Sequence, residues 1–304
     1  MLNISRILCP VDFSEASRHA LEQAAVVAGW FDAPITLLHV YTQVFLPVPG
    51  LGMPGYASDF VLGPDERQRL KEEAERFAAP VRAAGARVDT RVEVGQAIAH
   101  ILGTAQEERA DLVVIGTHGA SGFEHLVLGS VTEKVLRKAP CPVLTVPPRA
   151  HHAATVPFKR ILVAVDFSDC SLAALGAALS FAKEADAELT MLHVLDWPEP
   201  EALAPTLESP SSGIFDLEGY RRQLEGEALA RLEKLVPADA GHWCTPRTLV
   251  AHGKAHREIL KAAAGADLIV LGVRGRSAID LALFGSTANQ IVRQAVCPVL
   301  TVTK

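Results

Sequence analysis

Two glycine–serine patterns with identical internal spacing are the residues of this chain best suited to chemistry. They are Gly116-x2-Gly119-x9-Gly129-Ser130 and Gly272-x2-Gly275-x9-Gly285-Ser286. Each follows an apolar run ending in glycine, Asp111 to Gly116 or Asp267 to Gly272, and each precedes a helix-like stretch, Ser130 to Lys138 or Ser286 to Gln294. A buried strand, a glycine-punctuated loop and a helix N-terminus gather free backbone N–H groups around an anion. Glycine serves where the chain turns with positive φ or where a phosphate must come close to the backbone. The pattern therefore points to phosphate binding, twice over. Ser130 and Ser286 are candidate hydroxyl donors and also candidate N-caps. Arg274 and Arg276 add forked donors to the second loop, where the first has His118 and Ala120.

Two aspartates complete the candidate set. Asp12 and Asp166 each close the first apolar run of a half, in Arg6-Ile-Leu-Cys-Pro-Val-Asp12-Phe-Ser14 and Arg160-Ile-Leu-Val-Ala-Val-Asp166-Phe-Ser168. A carboxylate at a strand end accepts hydrogen bonds from a ribose or base, or helps hold a divalent metal. The competing role is helix capping, since a serine follows two residues on.

The repeat that carries these residues spans whole domains. Asp12 and Asp166 stand 154 residues apart, as do His39 and His193 in two Leu-His-Val segments. The glycine loops stand 156 apart, and so do Cys141-Pro-Val-Leu-Thr-Val146 and Cys297-Pro-Val-Leu-Thr-Val302. Small changes of offset place the length variation in loops, and a unit of this size is a domain rather than a solenoid repeat. The expected boundaries are residues 1–147 and 158–304, joined by a linker at 148–157.

Within the first half the pattern predicts strands at Arg6–Asp12, Pro34–Tyr41, Arg87–Val94, Asp111–Gly116 and Pro142–Val146. Helices are predicted from Ser14 to Phe31, Asp65 to Ala84, Ala97 to Arg109 and Ser130 to Lys138. Strands alternating with helices make parallel βαβ units, so each half should be a Rossmann-like, doubly wound five-stranded α/β domain. With strand order 3-2-1-4-5 the first and fourth strands are neighbours. Asp12 and the glycine loop then face one pocket at the switch in strand order. The last strand of each half begins with proline, which is confined to strand starts and edges. Those edges should pair with one another about a pseudo-two-fold axis within the chain, with a homodimer through other surfaces also open.

Bulk properties agree. With 304 residues, 49% hydrophobic and 21% charged, the chain reads as two globular domains. A net charge of −6 gives no footprint for nucleic acid or an anionic membrane. The N-terminus lacks the architecture of a signal peptide, no run is long enough to span a bilayer, and the 5 cysteines have no close pairs. A cytoplasmic protein with reduced thiols is the expectation.

Together the residues resemble the universal stress protein family in its tandem, ATP-binding form. The carriers are Val11-Asp12-Phe-Ser14 and Val165-Asp166-Phe-Ser168, the two Leu-His-Val segments, the two glycine loops and the two Cys-Pro-Val-Leu-Thr-Val endings. The resemblance covers nearly the whole chain. It implies a fold of the adenine nucleotide alpha hydrolase type, pairing through the fifth strands, and ATP in the cleft with Mg2+ or Mn2+. It further implies adenosine contacts from Asp12 with Val40 and from Asp166 with Val194. Phosphate contacts follow from Gly116, Gly119, Gly129, Ser130 and Val131, and from Gly272, Gly275, Gly285, Ser286 and Thr287.

Other signals are weaker. Gly50-Leu-Gly52-Met-Pro-Gly55 matches G-x-G-x-x-G but lies among prolines and opens no helix, and no P-loop motif occurs. His242, Cys244, His252 and His256 invite a zinc site, yet a strand over Trp243–Val250 would hold His242 and His252 about 26 Å apart. His39 and His193 read as satisfied core or cleft histidines, and Cys141 and Cys297 as inert buried thiols. The leading expectation is a protein that signals stress through nucleotide occupancy, with little or no fast catalysis. The alternatives are an ATP-consuming ligase or nucleotidyl transferase on a related α/β domain, and a scaffold that no longer binds nucleotide. The turn after the first strand, Asp-Phe-Ser with no glycine, counts against the enzyme.

Overall fold

The computed structural model describes residues 2–42, 63–117, 128–148, 158–196, 216–273 and 284–303. The chain divides into two units, Asn3–Ala154 and Thr155–Lys304, the latter including Met1–Leu2. The described elements of the first unit are β1 (Ile7–Val11), α1 (Glu15–Phe31), β2 (Ile35–Tyr41), α2 (Pro64–Ala83), β3 (Val88–Val94), α3 (Ala97–Glu107), β4 (Leu112–Gly116), α4 (Ser130–Lys138) and β5 (Val143–Val146). Those of the second are β6 (Arg160–Ala164), α5 (Asp169–Ala185), β7 (Glu188–Leu195), α6 (Leu217–Glu233), β8 (Thr245–His252), α7 (Ala255–Ala262), β9 (Leu268–Gly272), α8 (Ser286–Gln294) and β10 (Val299–Val302).

In the first unit the strands run in the order β3-β2-β1-β4-β5, and every described pairing is parallel. The second repeats it as β8-β7-β6-β9-β10. β1 and β4 are thus neighbours, as the expected order requires, with Ile7 beside Leu112 and Leu8 beside Val113. All five residues of β1 and of β4 are buried, which is why both read as unbroken apolar runs. β3 and β8 stand outermost in this order and are mostly half-buried or exposed, with β8 alternating in exposure over its first five residues.

Helix starts follow capping chemistry. Ser14 and Ser168 are N-caps whose hydroxyls accept from the N–H groups of Ser17 at 3.2 Å and Ser171 at 3.3 Å. The same helices end on Asp32 and Asp186 in the left-handed region, φ 50° and 49°. At the amino ends of the strands, Asp111 Oδ2 accepts from the N–H of Ser5 at 2.8 Å, and Asp267 Oδ2 accepts from that of Arg160 at 2.9 Å. These aspartates tie β1 to β4 and β6 to β9 at the ends away from the loops.

Most boundaries fall within a residue or two of expectation, and the third strand of the second unit is shifted from the expected Trp243–Val250. A single 3-10 turn occupies Ala240–His242, and β8 begins only at Thr245 and runs on to His252. Cys244, which is buried, donates its N–H to the Ala240 carbonyl at 2.9 Å and so belongs to the turn.

Candidate functional site

The carboxyl ends of β1 and β4, and of β6 and β9, form the switch points of the two sheets. In the second unit a cleft of about 750 Å³ opens there. Asp166, Val194, Gly272, Gly285, Ser286 and Thr287 all line it, six residues chosen from sequence and drawn from four separate elements or loops. Ala164, Val165, Leu192, Leu271 and Ile259 give it apolar walls. In the first unit Asp12, Val40, Gly116, Gly129, Ser130 and Val131 occupy the matching places after β1, on β2, at the end of β4 and at the start of α4. Gly119, Arg274, Gly275 and Arg276 lie outside the described residues, as does the Gly50–Gly55 motif.

The aspartates are held before any ligand arrives. Asp12 Oδ1 accepts from Ser14 N–H at 3.1 Å and from its hydroxyl at 2.5 Å. Asp166 repeats this with Ser168 at 3.0 and 2.5 Å. The capping role set against a binding role is therefore real. It does not exhaust the group, because a carboxylate offers about four acceptor positions. Between aspartate and serine, Phe13 and Phe167 adopt the left-handed region, φ 62° and 63°. That conformation costs a bulky residue roughly 1–2 kcal/mol. Offsetting it, Phe13 stacks on His39 at 4.2 Å and Phe167 packs at a tilt against His193 at 4.7 Å between centroids. Each histidine in turn donates from Nδ1 to a carbonyl at the end of the first strand, Val11 at 2.9 Å and Val165 at 2.6 Å. A carbonyl only accepts, so Nδ1 carries the proton in both rings.

Sequence reasoning passed over Phe13 and Phe167, although their signal was present in the duplicated Asp-Phe-Ser and Leu-His-Val. Only the fold brings the two segments into contact. The support beneath the rings differs between copies. Phe77 of α2 packs edge-on against Phe13 at 5.5 Å, with Arg18 above Phe77 at 4.7 Å. In the second unit Arg231 of α6 lies directly over Phe167 at 3.8 Å.

Val194 contributes backbone. In a parallel strand the N–H and C=O of one residue point to the same side, and successive residues alternate. The Leu192 carbonyl accepts from Val165 N–H at 2.8 Å, so Leu192 faces β6. Val194 faces the same way, beyond the last residue of β6, and turns its polar groups into the cleft.

The glycines act differently from the expected positive φ. A Cβ on Gly116 would stand 3.2 Å from the backbone of Ala16, and one on Gly272 would stand 2.8 Å from that of Cys170. These two glycines let α1 and α5 approach the ends of β4 and β9. Gly129 and Gly285 have φ of −55° and −58° and are themselves the N-caps of α4 and α8. Gly129 N–H donates to the Thr117 carbonyl at 2.9 Å, and Gly285 N–H to that of Val273 at 2.8 Å. Ser130 and Ser286 are consequently the first helical residues and not the caps. Both are exposed. The N–H groups of a helix's first turn have no intrahelical acceptor. In α8 three residues of that turn, Ser286, Thr287 and Ala288, line the cleft.

Burial pushes the Cys141 and Cys297 thiols up to about 12 and raises Cys9 further still, which makes them poor nucleophiles at neutral pH. His252 Nε2 lies 3.2 Å from Glu225 Oε2. Among the described residues no group of three or more His, Cys, Asp or Glu is placed to hold a metal ion. Nor does any described helix have the length and apolarity to cross a membrane.

Fold and site together define a tandem α/β protein with a cleft at the switch in strand order of its second unit. The profile of the Universal stress protein family matches residues 3–147 and again 157–303, and the chain belongs to that family. It is 29% identical over 301 residues to a universal stress protein of Mycolicibacterium smegmatis, covering 97% of this chain and 96% of that one. The crystal structure of a universal stress protein from Archaeoglobus fulgidus shares the fold over 98% of both chains, with 24% identity and a TM-score of 0.65. A universal stress protein solved in complex with cAMP matches 49% of this chain at 24% identity, with a TM-score of 0.36.

Proposed function

We propose that this universal stress protein binds ATP at its switch-point clefts and acts in stress response through nucleotide occupancy, with little or no fast catalysis. The observation that carries the reading is the second cleft, which gathers six of the residues expected to bind around an apolar floor and a helix N-terminus. An adenine ring fits between apolar walls such as Val165, Leu192 and Ile259. Asp166, fixed by Ser168, accepts from the ribose, and the backbone of Val194 meets the base. The N–H groups at the start of α8 meet the phosphates. The titratable side chains lining the described cleft are Asp166, His193 and Asp196. Two of these are already engaged, Asp166 with Ser168 and His193 with Val165.

The divalent cation expected from the resemblance finds no cluster of protein ligands among the described residues, so none is assigned to it. Calorimetric titration of the full chain with ATP and Mg2+ tests the proposal, together with mass spectrometry of ligand released on denaturation. Heat and thermal stabilisation at millimolar ATP support it, and their absence refutes it. Steady ATP hydrolysis near the typical enzyme rate of ~10 s⁻¹ would refute the non-catalytic part.

A further inference from the structure

The two units expose outer strands of different character. β3 lies outside β2 and β8 lies outside β7, and among the described residues no strand pairs with either on its far side. Such an edge leaves a row of backbone donors and acceptors, which proteins ordinarily guard with charge or short length. In β8, Thr245 N–H donates to the Ala187 carbonyl and Gly253 N–H to that of Leu195. Backbone direction alternates along a parallel strand, so Arg247, Leu249 and Ala251 also face β7. Pro246, Thr248, Val250 and His252 therefore turn their backbone groups outward. Proline at the first of these takes no donor from the ladder with β7. None of the 8 residues of β8 is buried, and Leu249, midway between the outward residues, is 43% exposed.

The edge of β3 has the same backbone pattern and different side chains. Gly95 N–H donates to the Tyr41 carbonyl, so Asp89, Arg91 and Glu93 face β2, and Val88, Thr90, Val92 and Val94 face out. Gly95 and Gly253 follow their strands with φ of 143° and 135°. They stand 158 residues apart, as do Arg91 and Leu249, so leucine occupies in β8 the place that arginine holds in β3. Arg91 is tied to Glu93 at 2.7 Å and to Glu107 at 3.3 Å. A second copy laid antiparallel about Arg91 would set Arg91 against Arg91 and Asp89 against Glu93. Like charges directly opposite destabilise a strand pair. β3 thus resists its own copy, and β8 carries no such guard.

We propose that β8 is the surface through which two copies of this chain associate, joined antiparallel about a two-fold axis at Leu249. That register engages every outward residue, Thr248 with Val250 of the second copy and Pro246 with its His252. In an antiparallel pair, residues whose backbones face each other exchange both N–H···O bonds. The residues between them stand closer, about 4.5 Å apart at Cα. Leu249 is such a residue and meets Leu249 of the second copy, which covers the apolar side chain that a single copy exposes. Proline only accepts, so the His252 carbonyl opposite it goes unpaired at each end of the ladder. Arg247, 3.8 Å from Glu188 on β7, lies across from Ala251, and no like charges are opposed.

Sedimentation velocity of the full chain tests the proposal. One pair of strands is a small interface, so the wild type should pass from monomer to dimer between about 1 and 200 µM. Leu249→Lys, at an exposed position, should stay monomeric over that range with the thermal midpoint of the wild type. Leu249→Cys should form an intermolecular disulfide under mild oxidation, because about 4.5 Å between Cα atoms lies within disulfide range. Arg91→Cys, on the guarded edge, should not. A wild type that is monomeric at the highest concentration overturns the proposal. So does a dimer that survives Leu249→Lys, which would place the contact elsewhere. Failure of Leu249→Cys to cross-link, or equal cross-linking of Arg91→Cys, overturns it as well.

Discussion

Phe167 lies against His193 with ring centroids 4.7 Å apart and planes tilted by 44°, and Phe13 stacks on His39 at 4.2 Å with 23° between the planes. The pair links the turn after the first strand to the end of the second. It holds a left-handed phenylalanine in place and thereby sets the direction of the preceding aspartate. Each histidine is locked by the carbonyl of the residue just before that aspartate, so stack and carboxylate form one unit.

Removing the ring should loosen that unit. Phe167→Ala keeps the strained φ and loses the ring contact with His193, and should cost about 1–3 kcal/mol in urea unfolding while weakening nucleotide binding. Phe167→Gly relieves the strain and should recover about 1 kcal/mol of stability relative to alanine without restoring affinity. A Phe167→Ala protein as stable as the wild type would show that the ring contact holds nothing.

The end-of-strand glycines should rank by crowding. A Cβ on Gly272 meets Cys170 backbone at 2.8 Å, closer than the 3.2 Å at which one on Gly116 meets Ala16. Gly272→Ala should therefore destabilise more than Gly116→Ala, by about 1–3 kcal/mol against a smaller loss. Thermal unfolding of the two single variants checks the order, and the reverse order would contradict the packing argument.

Capping and binding can be separated at Asp166. Asn keeps an oxygen for the Ser168 N–H and removes the charge, so Asp166→Asn should unfold within a few degrees of the wild type, a shift of about 1 kcal/mol or less. Its ATP affinity should fall roughly tenfold if the carboxylate accepts from the ribose, since bonds to charged groups are worth about 1.5–3 kcal/mol. Unchanged affinity in calorimetry would leave Asp166 as a cap alone.

Alkaline pH should expose the buried thiols. Burial raises Cys141 and Cys297 from 9.0 to about 12 in the folded chain. Below about 9 both folded and unfolded forms are protonated, so these groups add no pH dependence. Between about 9 and 12 the unfolded chain releases protons that the folded chain retains, and stability must fall as pH rises. Urea midpoints measured across that range should drop less steeply in a Cys141→Ala, Cys297→Ala protein. Rapid alkylation of either thiol in the native protein at pH 8 would contradict the burial.

Much of this was legible in the residues because parallel βαβ units write themselves plainly. Buried strands such as Leu112–Gly116 are continuous apolar runs, and Ser14 and Ser168 announce their helices through cap chemistry that acts within three residues. Where local signals were equivocal, the reading slipped. Trp243 and Cys244, expected to open the strand over Trp243–Val250, instead close onto a 3-10 turn whose carbonyl at Ala240 takes both their N–H groups.

The sequence by itself determined the duplication, the order of strands and helices, and which residues lie at the carboxyl ends of the strands. Those properties depend on periodicity and on neighbours close in the chain. Only the tertiary structure decided why particular residues are required. Gly272 is glycine because α5 crosses β9 at van der Waals distance, although Cys170 and Gly272 stand far apart in sequence. Phe13 tolerates a left-handed backbone because His39 arrives from the next strand. Gly285, rather than Ser286, caps α8 because its N–H returns to Val273 across the loop. Each of these is a contact between segments distant in sequence, and such contacts exist only once the chain has closed on itself.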